Sequence, residues 1–160
     1  MKFRPSLIAA AALIAASAAH ADSFNFSGTI DAGPLSGQSF SGSYTVNTTL
    51  VTGADFEQIA LTAFSLTFNS ATYTLNSSAT ADYSAGVFLG LGYTGITAGG
   101  TLSLVSGSMD VTDAFLSYAP TSGIESSGMY SVTAVPEPET WALLLGGLGA
   151  IGMLARRRKI

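Results

Sequence analysis

Carboxylates are the groups with which the body of this chain could do chemistry. Between Asp22 and Val135 there are eight acids, Asp22, Asp31, Asp55, Glu57, Asp82, Asp110, Asp113 and Glu125, and no lysine, arginine or cysteine. Asp110 and Asp113 bracket Val111-Thr112. With neighbouring carbonyls they would offer a hard cation such as calcium the oxygen ligands it takes, although no EF-hand spacing accompanies them. Asp55 and Glu57 flank Phe56 and share one face if the chain is extended there. Two carboxyl groups are what glycoside hydrolysis requires, one to protonate the leaving oxygen and one to act as nucleophile or base. Solvated turns are the plainer reading of both pairs.

Other chemistries fail on composition. The single histidine, His20, falls in an N-terminal segment read below as a removable leader. Without it the exported part has no base for a Ser-His or Cys-His nucleophile, no lysine for a Ser-Lys pair, and no imidazole for a metal. We therefore expect no enzyme, and no cofactor unless calcium binds at Asp110 and Asp113. Eight acids and no base give residues 22–135 a formal charge of −8, against −4 for the whole chain. Phosphate backbones need cationic partners, so nucleic-acid binding is excluded. An acidic polysaccharide would need a bridging cation. Gly90-Leu91-Gly92-Tyr93-Thr94-Gly95 spells G-x-G-x-x-G, but the sequence continues as Gly-rich strand where a dinucleotide site needs a helix. Tyr83, Tyr93 and Tyr118 could stack on sugars if exposed, with core or edge packing the commoner use of such residues.

Strands must position these groups. Phe24, Phe26 and Ile30 share one parity and Ser23, Asn25, Ser27 and Thr29 the other. The same alternation runs through 39–46, 64–69, 72–76 and 130–133, with further strand candidates at 87–93, 101–105 and 111–118. A period of two with one apolar and one hydroxyl-rich face is the mark of half-buried strands. Turns are expected at Asp31-Ala32-Gly33-Pro34, Asn69-Ser70, Ala98-Gly99-Gly100 and Pro120-Thr121-Ser122-Gly123. The pattern predicts an all-β fold, an antiparallel, jelly-roll-like β-sandwich of seven to nine strands over residues 22–134. A helical turn is expected within Ala54–Ala63, with a bulge or turn near Ala63, where the parity of Ile59 and Leu61 gives way to that of Phe64 and Leu66. Phe26-Ser27-Gly28-Thr29 is echoed by Phe40-Ser41-Gly42-Ser43, which predicts a hairpin with both phenylalanines facing the core.

The two ends read as addresses. Lys2 and Arg4 precede a small-apolar run from Leu7 to Ala19, and Ala19-His20-Ala21 fits a small-x-small cleavage site. Residues 1–21 are thus expected to be a signal peptide, a helix cut by signal peptidase after Ala21. Residues 135–160 combine Pro136-Glu137-Pro138, an apolar run 141–155, and the basic tail Arg156-Arg157-Arg158-Lys159. A helix over 141–155 would be roughly 22 Å long against a hydrocarbon core of roughly 30 Å, a marginal span that flanking Trp141 and the arginines can extend. Positive charge stays on the cytoplasmic side, so 22–140 would lie outside.

This tail resembles the PEP-CTERM sorting signal of Gram-negative bacteria. The resemblance rests on Val135-Pro136-Glu137-Pro138, Thr140-Trp141-Ala142-Leu143-Leu144-Leu145, Gly147-Leu148-Gly149, Gly152 and Arg156-Arg157-Arg158. It implies recognition and processing near Pro-Glu-Pro by an integral-membrane exosortase, a transient inner-membrane anchor, and export toward the cell surface or an exopolysaccharide matrix. The expected role is structural or adhesive. A carbohydrate-binding module, calcium-assisted or not, is the first alternative and a glycosidase the second.

Overall fold

The Phe-Ser-Gly echo sets the first hairpin. The computed structural model describes residues 22–136 and 145–148. In it β1 (Asp22–Thr29) pairs antiparallel with β2 (Ser39–Val46), Phe26 opposite Gly42 and Gly28 opposite Phe40. Each ring lies across the partner strand's glycine: a Cβ on Gly42 would sit 2.4 Å from the Phe26 ring, and one on Gly28 would sit 2.5 Å from the Phe40 ring. Glycine is therefore required at both places by close approach. Both phenylalanines are buried, as the alternation predicts.

Eight further strands follow: β3 (Glu57–Ala60), β4 (Ala63–Phe68), β5 (Ala71–Thr74), β6 (Thr80–Ser84), β7 (Val87–Thr97), β8 (Gly100–Val105), β9 (Phe115–Pro120) and β10 (Ser126–Ala134). Among the described residues they form one antiparallel sheet in the order β3-β6-β7-β8-β9-β10-β1-β2-β4-β5. The β4–β5 hairpin turns at Asn69-Ser70, both at positive φ, and the β6–β7 hairpin at Ala85-Gly86 likewise. Residues 145–148 are helical. The expected flanking helices otherwise lie outside the described residues, and among those described no helix is long and apolar enough to cross a membrane.

The structure thus corrects the expected seven-to-nine-strand, two-sheet sandwich to ten strands in a single curled sheet. The reason is that two long strands change partners partway. β7 pairs with β6 through Gly92 and with β8 from Tyr93 onward. β10 pairs with β9 through Met129 and with β1 from Tyr130 onward. The two facing layers that amphipathic strands require are therefore hydrogen-bonded into one sheet. Inside the curl, Phe64 stacks on Tyr93 at 4.3 Å, Phe68 meets Tyr118 edge-on at 5.5 Å, and Phe26 meets Tyr130 at 5.9 Å.

The helical turn expected within Ala54–Ala63 is instead strand β3 and a crossing. Leu61 N–H donates to Ala79 O at 3.0 Å, and Thr62 N–H donates to Thr45 O at 2.9 Å. The chain thereby steps from one limb of the sheet to the other, and this step is where the side-chain parity changes. The expected strand 111–118 begins only at Phe115, because Asp110 caps a 3₁₀ turn over Val111–Asp113.

Candidate functional site

Three of the four acids singled out by the sequence, Glu57, Asp110 and Asp113, are held by their own loops. Asp110 accepts from Thr112 N–H at 2.8 Å and from the Thr112 hydroxyl. Asp113 reaches the other way, accepting from Ser108 N–H at 3.0 Å and Ser108 Oγ at 2.7 Å. These hydrogen bonds hold both carboxyls below the ordinary aspartate range; the charge of Asp113 opposes the effect at Asp110. Glu57 folds back over the loop before it, taking the Thr52 hydroxyl and the successive amides of Thr52, Gly53 and Ala54 at 3.0–3.3 Å. Such a run of amides is an anion nest; the Thr52 hydroxyl foremost, and then these amides, lower the Glu57 pKa. A glycosidase acid needs the opposite shift. The carbonyl of its neighbour Asp55 accepts from Ser84 Oγ at 2.6 Å, tying this loop to the β6–β7 turn. Among the described residues no three His, Cys, Asp or Glu side chains converge to hold a metal.

The acid the sequence reading passed over is Asp82. It is 3% exposed and accepts from Thr80 Oγ1 at 2.7 Å, Ser106 Oγ at 2.9 Å and Gln58 Nε2 at 3.3 Å. It sits where the β6–β7 register slips, so that Leu89 is the extra residue. The bulge is stitched from two sides: Gly107 N–H donates to Leu89 O at 2.8 Å, and Leu91 N–H donates to the Tyr130 hydroxyl at 2.8 Å. Burial pushes the Tyr130 hydroxyl well above the ordinary tyrosine range, so it stays neutral. Gly90, at φ +137°, admits that hydroxyl; a Cβ there would sit 2.8 Å from it. The only trace of this knot in the sequence is an aspartate on the inward-reading stretch Ala81-Asp82-Tyr83. The G-x-G-x-x-G letters lie wholly on β7, which stays strand throughout.

Tyr83, Tyr93 and Tyr118 are buried, the core packing that is the commoner use of such residues, so none of the three stands exposed to stack on sugars. Burial raises the pKa of Tyr83 and Tyr93. What the outer surface presents instead is hydroxyls, with the one amide of Asn25, in register. One row runs Thr133, Asn25, Ser43, Ser65, Thr74 across β10, β1, β2, β4 and β5. The next runs Ser131, Ser27, Ser41, Thr67, Thr72 on the same strands. All ten are exposed. A shallow depression of about 470 Å³ lies between them, with Gly42 in its floor and no tyrosine in its lining.

Of the sorting residues, Pro136 is described and exposed. Glu137, Pro138, Trp141, Arg156, Arg157 and Arg158 lie outside the described residues, as do Ala19 and Ala21 of the expected cleavage site. The sheet runs up to the tail: Ala134 pairs with Phe24, and Val135 N–H donates to Ser23 O at 2.9 Å. Proline at 136 has no N–H to continue the ladder. Because β1 and β10 are antiparallel neighbours, the start of one and the end of the other leave the sheet side by side.

A family model for the PEP-CTERM protein-sorting motif matches residues 134–159. No curated protein and no solved structure matches the chain. The chain carries this sorting motif, which supports sorting through exosortase toward the cell surface of a Gram-negative bacterium.

Proposed function

We propose that the protein is a non-enzymatic, structural or adhesive component of the outer cell surface or its exopolysaccharide matrix, released from a transient inner-membrane anchor by processing of its tail. The observation that carries this reading is the junction at Val135. A sheet without a single lysine, arginine, histidine or cysteine among residues 22–135 ends at Ala134, the residue at which the sorting-motif match begins. The acids of the body support it, since Glu57, Asp110 and Asp113 serve as loop caps with lowered pKa values. A chain ended after Ala134 should still cross the inner membrane through its leader, yet fail to reach the surface. Surface display of that truncation at the level of the intact chain would refute the role given to the tail.

The two hydroxyl rows favour a second reading, a face that binds neutral carbohydrate. Side chains with both donor and acceptor capacity stand at strand spacing of roughly 4.8 Å over five strands, without charge to repel or attract. Titration against neutral glycans with and without calcium separates the readings. Saturable binding lost on Ser43→Val supports the glycan face, calcium dependence lost on Asp110→Asn would assign the cation a role, and hydrolysis lost on Glu57→Gln would overturn the non-enzymatic account.

A further inference from the structure

The pole from which both chain ends emerge carries the wrong residues for water. The 3₁₀ turn Thr48–Leu50 is tied to the start of β1 by a hydrogen bond from the Thr48 hydroxyl to Asp22. The loop that follows is tied to the β6–β7 turn, Ala85 N–H donating to Ala54 O at 2.8 Å. Stacked rings, Phe24 on Tyr44 at 5.0 Å and Tyr44 on Phe88 at 6.3 Å, join the start of β1 to the start of β7. One end of the sheet therefore holds Leu50, Phe56 and Val87, each between 49% and 57% exposed, and Val135, 37% exposed, leaves the sheet at the same end. Isolated exposed apolar residues need no explanation, but four gathered at one end of a sheet do.

We infer that this pole is a membrane-docking face, on which Leu50, Phe56, Val87 and Val135 rest in the interfacial region of an uncharged lipid bilayer while the chain is anchored. The inference rests on the reading of the tail as a membrane segment. The chain outside the structure selects the occupant. Pro136 is five residues from Trp141, where the apolar run begins, a reach of at most about 17 Å. Until signal peptidase cuts after Ala21, Asp22 is held as well, three residues from Ala19, where the leader's apolar run ends, about 10 Å at most. A body tethered so briefly at this pole must present it to the bilayer. Charge selects the lipid: the pole holds Asp22, Asp55 and Glu57, and no base exists between residues 22 and 135, so anionic headgroups would repel it.

The absence of cysteine makes the test clean. Single cysteines replace Leu50, Phe56 or Val87 at this pole, or Ile96 or Ile124, in the full-length chain. Ile96 and Ile124 are still more exposed, at 80% and 72%, and lie at the opposite end, where Thr121 N–H bonds Gly99 O. Each cysteine carries an environment-sensitive fluorophore, and the chain is reconstituted in phosphatidylcholine vesicles with an aqueous collisional quencher. The expected result is a blue shift and several-fold weaker quenching at Leu50, Phe56 and Val87, with none at Ile96 or Ile124. Vesicle-bound chain with all five probes equally quenched would overturn the docking face alone. Chain that does not float with the vesicles would overturn the tail's membrane role and the docking with it. Shielding that needs no vesicles and grows with protein concentration would assign the patch to a second copy and also overturn the inference.

Discussion

Replacing Tyr130 by phenylalanine removes one oxygen from the core and should cost far more than its size. The ring can remain, still edge-on to Phe26 at 5.9 Å, so little apolar burial is lost. What changes is Leu91, whose N–H donates to that oxygen at 2.8 Å and whose residue is 0% exposed. No water can reach a donor so placed, and leaving a buried donor unpaired costs about 1–3 kcal/mol. For a sheet of this size that is a fall in Tm of roughly 4–12 °C. Urea unfolding followed by tyrosine near-UV circular dichroism measures it, and the midpoint should drop at unchanged slope. Tyr118→Phe is the control, because Tyr118 is equally buried but its hydroxyl makes no protein hydrogen bond among the described residues. Equal stabilities for the two variants would refute the reasoning and mean that the β7 bulge is not held by Tyr130. The neutral hydroxyl makes the effect independent of pH up to the ordinary tyrosine range, about pH 10.

Gly42→Ala should destabilise by about 1–3 kcal/mol, since the new Cβ would lie 2.4 Å from both the Phe26 ring and Ser65 O. Ser27→Ala, on the exposed face of the same hairpin, should stay within about 0.5 kcal/mol in the same unfolding assay. The lowered pKa values of Glu57, Asp110 and Asp113 have a definite sign. Their loop-capping contribution is complete above the unfolded carboxylate values, near pH 4, and is lost as pH falls through the lower folded values. Amide exchange at Thr52, Ser108 and Thr112 should therefore accelerate in acid beyond its intrinsic dependence, while that at Leu91 should not; uniform behaviour would contradict the caps. Trypsin has no site from Pro5 to Ala155, so even in urea-unfolded protein the exported residues 22–134 should stay in one piece by mass spectrometry.

Strand existence was legible because the alternation is carried by large residues. Phe24, Phe26, Phe64 and Leu66 against Ser23, Asn25, Ser65 and Thr67 leave no doubt about faces, and the Phe-Ser-Gly echo named the first hairpin correctly. Connectivity between layers was not legible. It depends on β7 and β10 exchanging partners halfway, and a period of two persists through such an exchange unchanged. β6 was missed because Thr80-Ala81-Asp82-Tyr83-Ser84 buries its aspartate, which defeats a reading based on hydropathy. The candidate acids were found but not their use. Asp110 and Asp113 bond Thr112 and Ser108, and that choice is made by the 3₁₀ turn, not by their spacing. The sorting motif was legible because its parts are contiguous in sequence and need no fold to bring them together.

The most direct test of the account is the intact mass of the protein recovered from the cell surface. A species beginning at Asp22 and ending before Trp141 is the predicted result. A surface species that retains residues 141–160 would contradict it.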